Sequence, residues 1–288
     1  MDDDNVHGFG RAFRLYWGRE PQGQSVELVG EKAAYLNRLG RQLTVPRGFS
    51  VTALSYLDLP DQEREAVLNA TLAAYHELSR AERAEHVAVA VRPSPPRGLR
   101  SASVPTFLNI SGDEALSACV LELLARPMPS AIWAPGMPEH GLGGLGRRAV
   151  LIQTLVAADS SARVYFADLA RPDSEIVVRA TWGLGENLAA DDEPADVFVY
   201  DMALRLQTRQ VAVKERMICP AAGGVVEVPV MQKLRRQPCL TNEVSRRIAR
   251  QLLRACDLLG QRVRLGMAVA ENQVATVSCR PCGEALRA

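Results

Sequence analysis

The order in which apolar runs of two different periods follow one another constrains this chain more than any single residue does. Leu68, Leu72 and Tyr75 fall at the i, i+4, i+7 spacing of an amphipathic helix that begins after Pro60-Asp61. Lys32, Ala33, Leu36 and Leu39 predict a shorter helix stopped by Gly40. Ser111-Gly-Asp-Glu114 reads as a capping box that opens a third helix, with Leu116, Cys119, Val120 and Leu123 on one face. The clearest helix has Thr241 as N-cap, Ile248, Leu252, Ala255 and Leu259 on one face, and Gly260 as its stop. Strand-like runs lie between and after these, at 87–91, 149–156, 175–180, 197–200, 225–230, 263–269 and 274–279. Residues 134–146 are rich in Gly and Pro and predict a loop. Helices and strands are interleaved without the strict alternation of a doubly wound sheet, so the pattern predicts an α+β fold.

Composition excludes several function classes. The 288 residues are 47% hydrophobic and 23% charged, as in ordinary globular proteins. A net charge of +1 with scattered basic residues gives no electrostatic case for nucleic acid or an acidic membrane surface. No apolar run reaches the roughly 18 residues that a membrane helix needs, and Met1-Asp2-Asp3-Asp4 is unlike the basic start of a signal peptide. A cytoplasmic location is the expectation. Cys279-Arg280-Pro281-Cys282 is a lone C-x-x-C, and the six cysteines are expected to be reduced structural thiols with no metal among them. Lysine is scarce: Lys32, Lys214 and Lys233 are the whole complement, which draws the eye to any lysine in a motif.

Seven segments, in order, resemble the nucleotide-binding domain shared by phosphoenolpyruvate synthase, pyruvate phosphate dikinase and rifampin phosphotransferase. They are Leu28-Val-Gly-Glu-Lys-Ala-Ala-Tyr-Leu36, Val45-Pro-Arg-Gly-Phe-Ser-Val-Thr52, Val89-Ala-Val-Arg-Pro-Ser94, Thr106-Phe-Leu-Asn-Ile110, Val150-Leu-Ile-Gln153, Ala180-Thr-Trp-Gly-Leu-Gly-Glu186, and Leu240-Thr241 followed by Ser278-Cys-Arg-Pro281. The resemblance implies an ATP-grasp-type domain of two lobes, about 1–152 and 153–288, with a cleft between them. It places Lys32, Arg92 and Arg280 at phosphate-contacting positions, Gln153 at the adenine hinge, and Glu186 in the ligand site.

Phosphoryl transfer from ATP needs cations on the phosphates, a loop of backbone N–H groups over them, and oxygen ligands for Mg²⁺. By the resemblance, the cations are kept. The glycine loop is replaced by Leu99-Arg-Ser-Ala-Ser-Val-Pro105, which has no glycine and ends in a residue without an N–H. Gly98 alone precedes it. The metal-ligand positions fall on Gly266 and Ser278, with Arg264 where the family has an aspartate. Glu271 lies nearby, in a predicted hairpin turn. Mg²⁺ is therefore not expected, although ATP itself remains a candidate ligand.

The expected function is a stand-alone, degenerate relative whose cleft serves chemistry on a small molecule other than ATP, of the lyase, cyclase or dehydratase type. Glu186 and His140 are the catalytic candidates, with Asp159 and Lys32 as further acid–base groups. Two alternatives stay open: a non-catalytic nucleotide- or anion-binding module, pseudokinase-like and serving a protein partner, and a phosphotransferase subunit that works with a separate histidine domain.

Overall fold

The computed structural model describes residues 13–18, 20–54, 59–95, 104–125, 147–171, 173–189 and 193–282. It is α+β, as the pattern of runs predicts. The chain divides into two compact units, one of Met1–Ala34 with Arg47–Thr154, the other of Tyr35–Pro46 with Leu155–Ala288. The segment Tyr35–Pro46, which lies ahead of the expected boundary, groups with the second unit, where the Thr276 N–H donates to the Thr44 carbonyl at 2.8 Å. Among the described residues no helix is long and apolar enough to cross a membrane.

The first unit contains β1 (Phe13–Trp17), α1 (Val26–Leu39), β2 (Gly48–Leu54), α2 (Asp61–Ala81), β3 (Val89–Ser94), β4 (Phe107–Ile110), α3 (Asp113–Ala125) and β5 (Arg147–Thr154). α1 runs on past Ala34 into the residues grouped with the second unit. The strands form one antiparallel sheet in the order β1-β2-β5-β3-β4. Alternation along each strand sends Phe49, Val51, Val89, Val91, Val150 and Ile152 to one face. There they pack with Val67, Tyr75 and Leu78 of α2 and Leu116, Val120 and Leu123 of α3. Ser111 does not cap α3: its hydroxyl donates to the His86 carbonyl, and the helix begins behind Gly112, whose N–H is taken by the buried Tyr75 hydroxyl. The cross-chain partner wins over the local capping box.

The second unit holds β6 (Ser160–Phe166), β7 (Ile176–Trp182), β8 (Asp196–Tyr200), β9 (Leu206–Gln210), the hairpin β10 (Arg216–Ala221) and β11 (Gly224–Pro229), α4 (Asn242–Leu259), β12 (Val263–Ala270) and β13 (Gln273–Pro281). Six of the strands form an antiparallel sheet in the order β13-β12-β6-β7-β8-β9. α4 covers one face of it. Its buried Val244, Ile248, Leu252 and Ala255 meet a surface that includes Val164, Val178, Phe198 and Leu265, and Ser245 hydrogen-bonds the buried Tyr200 hydroxyl at 2.6 Å. The ends of α4 are as read: Thr241 accepts from the Val244 N–H, and Gly260 takes the left-handed conformation at φ 64°. Glu271 and Asn272, both at positive φ, form the two-residue turn between β12 and β13.

A buried ion pair secures the segment that follows β9. Lys214 and Asp196 bond each other with essentially no exposure. The same carboxylate accepts from the N–H groups of Ala212 at 3.0 Å and Cys239 at 2.8 Å. Lys214, one of the three lysines, is thus a clamp between β8 and the chain around residues 212–239.

Candidate functional site

In the first unit the predicted ligand residues gather on the sheet face opposite α2 and α3. Gln153 lies across from Ala90, and Leu151 across from Arg92, so Gln153 and Arg92 share that face. The same register adds Ser50 and Tyr16, both buried and both with hydroxyl oxygens that have no hydrogen-bond partner among the described residues. Buried polar groups left this way are uncommon. Sequence reading missed both: Ser50 lies inside the Val45–Thr52 segment without being singled out, and Tyr16 lies in no motif.

The backbone around Lys32 is tied to the end of β3. Gly30 interrupts α1 at φ 75°, and a Cβ there would overlap the Ser94 carbonyl. The close approach lets the Glu31 N–H donate to the Pro95 carbonyl at 2.9 Å and the Ala33 N–H to the Ser94 hydroxyl at 3.0 Å. The Gly30-Glu-Lys32 segment is thereby bound to the end of the strand that carries Arg92. Lys32 is buried, 7% exposed.

In the second unit the Trp182-Gly-Leu-Gly-Glu186 motif is held by two glycines with no room for a side chain. Gly183 sits at φ 68° with its Cα against the Ile218 carbonyl, and a Cβ at Gly185 would come within 2.8 Å of the Ser161 Cβ. The Ser161 hydroxyl donates to the Gly183 carbonyl at 2.8 Å. Glu186 stands exposed on the turn of 3-10 helix Gly185–Ala189.

The sheet face turned away from α4 is rich in arginine. Arg264 lies directly opposite Arg280 on β12 and β13, and Arg163 directly opposite Arg179 on β6 and β7. Gly266 lies opposite Ser278 on one side and Arg163 on the other. One row across four strands therefore reads Ser278, Gly266, Arg163, Arg179, with Arg280 and Arg264 two residues along. Arg179 is nine-tenths buried and donates to the Glu193 carbonyl at 2.9 Å. Thr181, on the same face and 1% exposed, has a hydroxyl without a hydrogen-bond partner among the described residues. Arg163 and Arg179 were not singled out from the sequence. The signal was there, an arginine inside each of two otherwise strand-like apolar runs, but only the pairing register brings them together.

The other candidates separate. His140, the loop 134–146, Gly98 and residues 99–103 lie outside the described residues. Asp159 serves structure: its N–H donates to the Val269 carbonyl and its Oδ2 accepts from the Glu271 N–H at 2.9 Å, holding the β12–β13 turn. It also borders a cavity of about 530 Å³ with Ser160, Trp182, Cys239, Thr241 and Asn272. The Trp182 indole N–H donates to the Leu234 carbonyl at 3.2 Å. The cysteines of the C-x-x-C do different things: Cys279 is fully buried in β13, and Cys282 is half-buried beyond its end, with burial pushing the thiol pKa up.

Comparison with known proteins matches residues 61–287 to the family described as pyruvate phosphate dikinase, AMP/ATP-binding domain. Among curated proteins the chain is similar to "Uncharacterized phosphotransferase YvkC" of Bacillus subtilis, at 24% identity over 61% of this chain and 21% of that one. It is similar to a rifampicin phosphotransferase of Streptomyces sviceus, at 27% identity over 83% of this chain and 33% of that one. It is also similar to a probable phosphoenolpyruvate synthase of Methanocaldococcus jannaschii, at 26% identity over 75% of this chain and 22% of that one. The chain thus spans between about a fifth and a third of the length of these relatives.

Proposed function

This chain belongs to the pyruvate phosphate dikinase AMP/ATP-binding domain family, of ATP-grasp type, and from that premise we propose that it holds a small molecule without a divalent metal and does not carry out Mg²⁺-dependent phosphoryl transfer. The observation that carries this reading is the pairing of Gly266 with Ser278. By the resemblance these are the two metal-ligand positions, and the register supports that assignment by setting them side by side on neighbouring strands.

The residues present do not fit Mg²⁺. The ion prefers carboxylate and other oxygen ligands in near-octahedral geometry. A glycine and a serine hydroxyl offer little of this, and the arginines on the flanking positions repel a cation. Without a metal, the charge on a transferring phosphoryl group loses a stabilisation of several kcal/mol. The binding reading is favoured over lyase, cyclase or dehydratase chemistry because the acid–base candidates of the described residues are not assembled: Asp159 holds a turn, and Glu186 stands exposed. The relatives' phosphotransferase names support the remaining reading, a subunit that works with a separate histidine domain.

The test is turnover. Purified full chain is incubated with ATP and excess Mg²⁺ or Mn²⁺, and release of ADP, AMP, phosphate and diphosphate is followed. The expected result is no product above the uncatalysed rate. Metal-dependent release of any of them, abolished by Arg92→Ala, would overturn the proposal and return the chain to the phosphotransferases.

A further inference from the structure

We propose that the cavity beside the N-terminal turn of α4 binds an elongated zwitterion, a molecule with a carboxylate at one end, an ammonium at the other and an apolar chain between them. This cavity lies on the opposite side of the six-stranded sheet from the arginine-rich face, so the inference does not depend on what that face holds.

Strand register fixes the position. Ser160 on β6 lies opposite Trp182 on β7 and opposite Val269 on β12, and all three border the cavity of about 530 Å³. Alternation puts Ser160 and Trp182 on the face of Val164 and Val178, which α4 covers, and puts Arg163 and Arg179 on the other. Thr241, Asn242 and Val244 of the α4 N-terminus border the same space. Ser160 is 3% exposed, and its hydroxyl has no hydrogen-bond partner among the described residues. A buried hydroxyl that borders a cavity can both donate to and accept from a bound molecule.

The two ends of the cavity carry opposite charge. Arg209 and Asn242 both stand over β8: Arg209 lies opposite Phe198 with its guanidinium 5.8 Å from the ring centre, and the Tyr200 hydroxyl donates to the Asn242 carbonyl at 3.3 Å. Arg209 has no carboxylate within ion-pair reach among the described residues. In the first turn of α4 the Val244 and Ser245 N–H groups are taken by Thr241, whereas the Asn242 N–H has no partner among the described residues. An unused N–H at the start of an 18-residue helix and an unpaired arginine both favour a carboxylate. Asp159 borders the cavity just ahead of β6, three strands from Arg209 in the order β6-β7-β8-β9. Its Oδ2 accepts from the Glu271 N–H, and its other oxygen has no partner among the described residues. Three strand spacings set the two backbones at least roughly 14 Å apart. An α-amino acid, whose charges are adjacent, does not reach both ends; a chain of several carbons between the charges does. Trp182, Leu240, Val244 and Val269 supply the apolar lining for that chain.

The experiment is NMR of the full chain with its three tryptophan indoles labelled with ¹⁵N. The Trp182 signal is assigned by its loss in Trp182→Phe. The protein is titrated at neutral pH with ε-aminocaproate, with caproate, which lacks the ammonium, and with hexylamine, which lacks the carboxylate. The expected result is a saturable shift of the Trp182 signal by ε-aminocaproate, with caproate and hexylamine each weaker by about tenfold. Arg209→Gln weakens ε-aminocaproate and caproate by about fivefold and leaves hexylamine unchanged; Ser160→Ala weakens ε-aminocaproate by about threefold. Arg209 is exposed on β9, so its variant carries the test even where Ser160→Ala disturbs the sheet. No saturable shift of the Trp182 signal overturns the site. So does binding that is the same in wild type and Arg209→Gln, and caproate or hexylamine binding as tightly as ε-aminocaproate overturns the ligand class. The two proposals fail separately: turnover of Mg-ATP sinks the metal-free function and leaves this cavity untouched, whereas a silent Trp182 signal sinks only the cavity.

Discussion

Gly266 on β12 lies directly opposite Ser278 on β13, and a Cβ built on Gly266 would approach the Ser278 Cβ to 3.1 Å. That distance is tight but not prohibitive, and it sets the terms for putting a carboxylate back. Gly266→Glu combined with Ser278→Gly removes the crowding atom and places an anion beside Arg163 and Arg264. The expected outcome is a folded double variant with a higher thermal midpoint than Gly266→Glu alone, which keeps the Ser278 Cβ in the way, read by circular dichroism melts of the two.

Lys214 and Asp196 form a buried pair whose value appears only when it is broken. Lys214→Met leaves a carboxylate with no exposure, two backbone N–H donors and no counter-charge. Breaking such a pair costs about 3–5 kcal/mol. Lys214→Met with Asp196→Asn keeps an oxygen acceptor for only one of the Ala212 and Cys239 N–H groups but buries no charge, so the double variant is expected to be more stable than Lys214→Met alone. Urea unfolding of the three proteins reads the order directly.

Gly30 is the point at which α1 turns onto the strand that carries Arg92. Its φ of 75° and the overlap of any Cβ with the Ser94 carbonyl give Gly30→Ala two separate penalties. A loss of at least about 2 kcal/mol is expected, seen as a lower thermal midpoint. The hydrogen bond from the Ala33 N–H to the Ser94 hydroxyl should be disturbed with it. Ser94→Ala removes only that bond and is expected to cost about 1 kcal/mol.

What could be read in advance follows from whether the information is local. The ends of α4 were legible because Thr241 and Gly260 act on neighbours within one turn. The β12–β13 hairpin was legible because two apolar runs flank Glu271 and Asn272. The glycines of Trp182-Gly-Leu-Gly-Glu186 were legible as a motif, though their reason, contact with Ile218 and Ser161, comes from other strands. Ser111 misled because His86, 25 residues earlier, outcompetes a cap three residues away. The arginine face was legible only in pieces, through Arg264 and Arg280. Arg163, Arg179, Arg264 and Arg280 are scattered over more than a hundred positions, and only strand register makes them neighbours.

Cys239 should make stability fall on the alkaline side. Burial, with the Asp196 carboxylate beside it, pushes its thiol pKa well above the ordinary range. In the unfolded chain the thiol ionises near pH 8.5, while in the folded protein it stays protonated. Above that pH the unfolded state binds fewer protons than the native state. The stability contributed by the raised pKa is therefore complete below about pH 8.5 and is lost as pH climbs towards the folded value. The loss from this one group is about 1.4 kcal/mol per pH unit. Urea midpoints at pH 8 and pH 10 should show the decline in the wild type and a shallower one in Cys239→Ala, whose site has no proton to lose. Equal slopes in the two proteins would mean that the thiol is not held protonated by its surroundings. A matching kinetic sign is expected in alkylation: at pH 8 Cys239 should resist iodoacetamide in the native protein and react once urea exposes it.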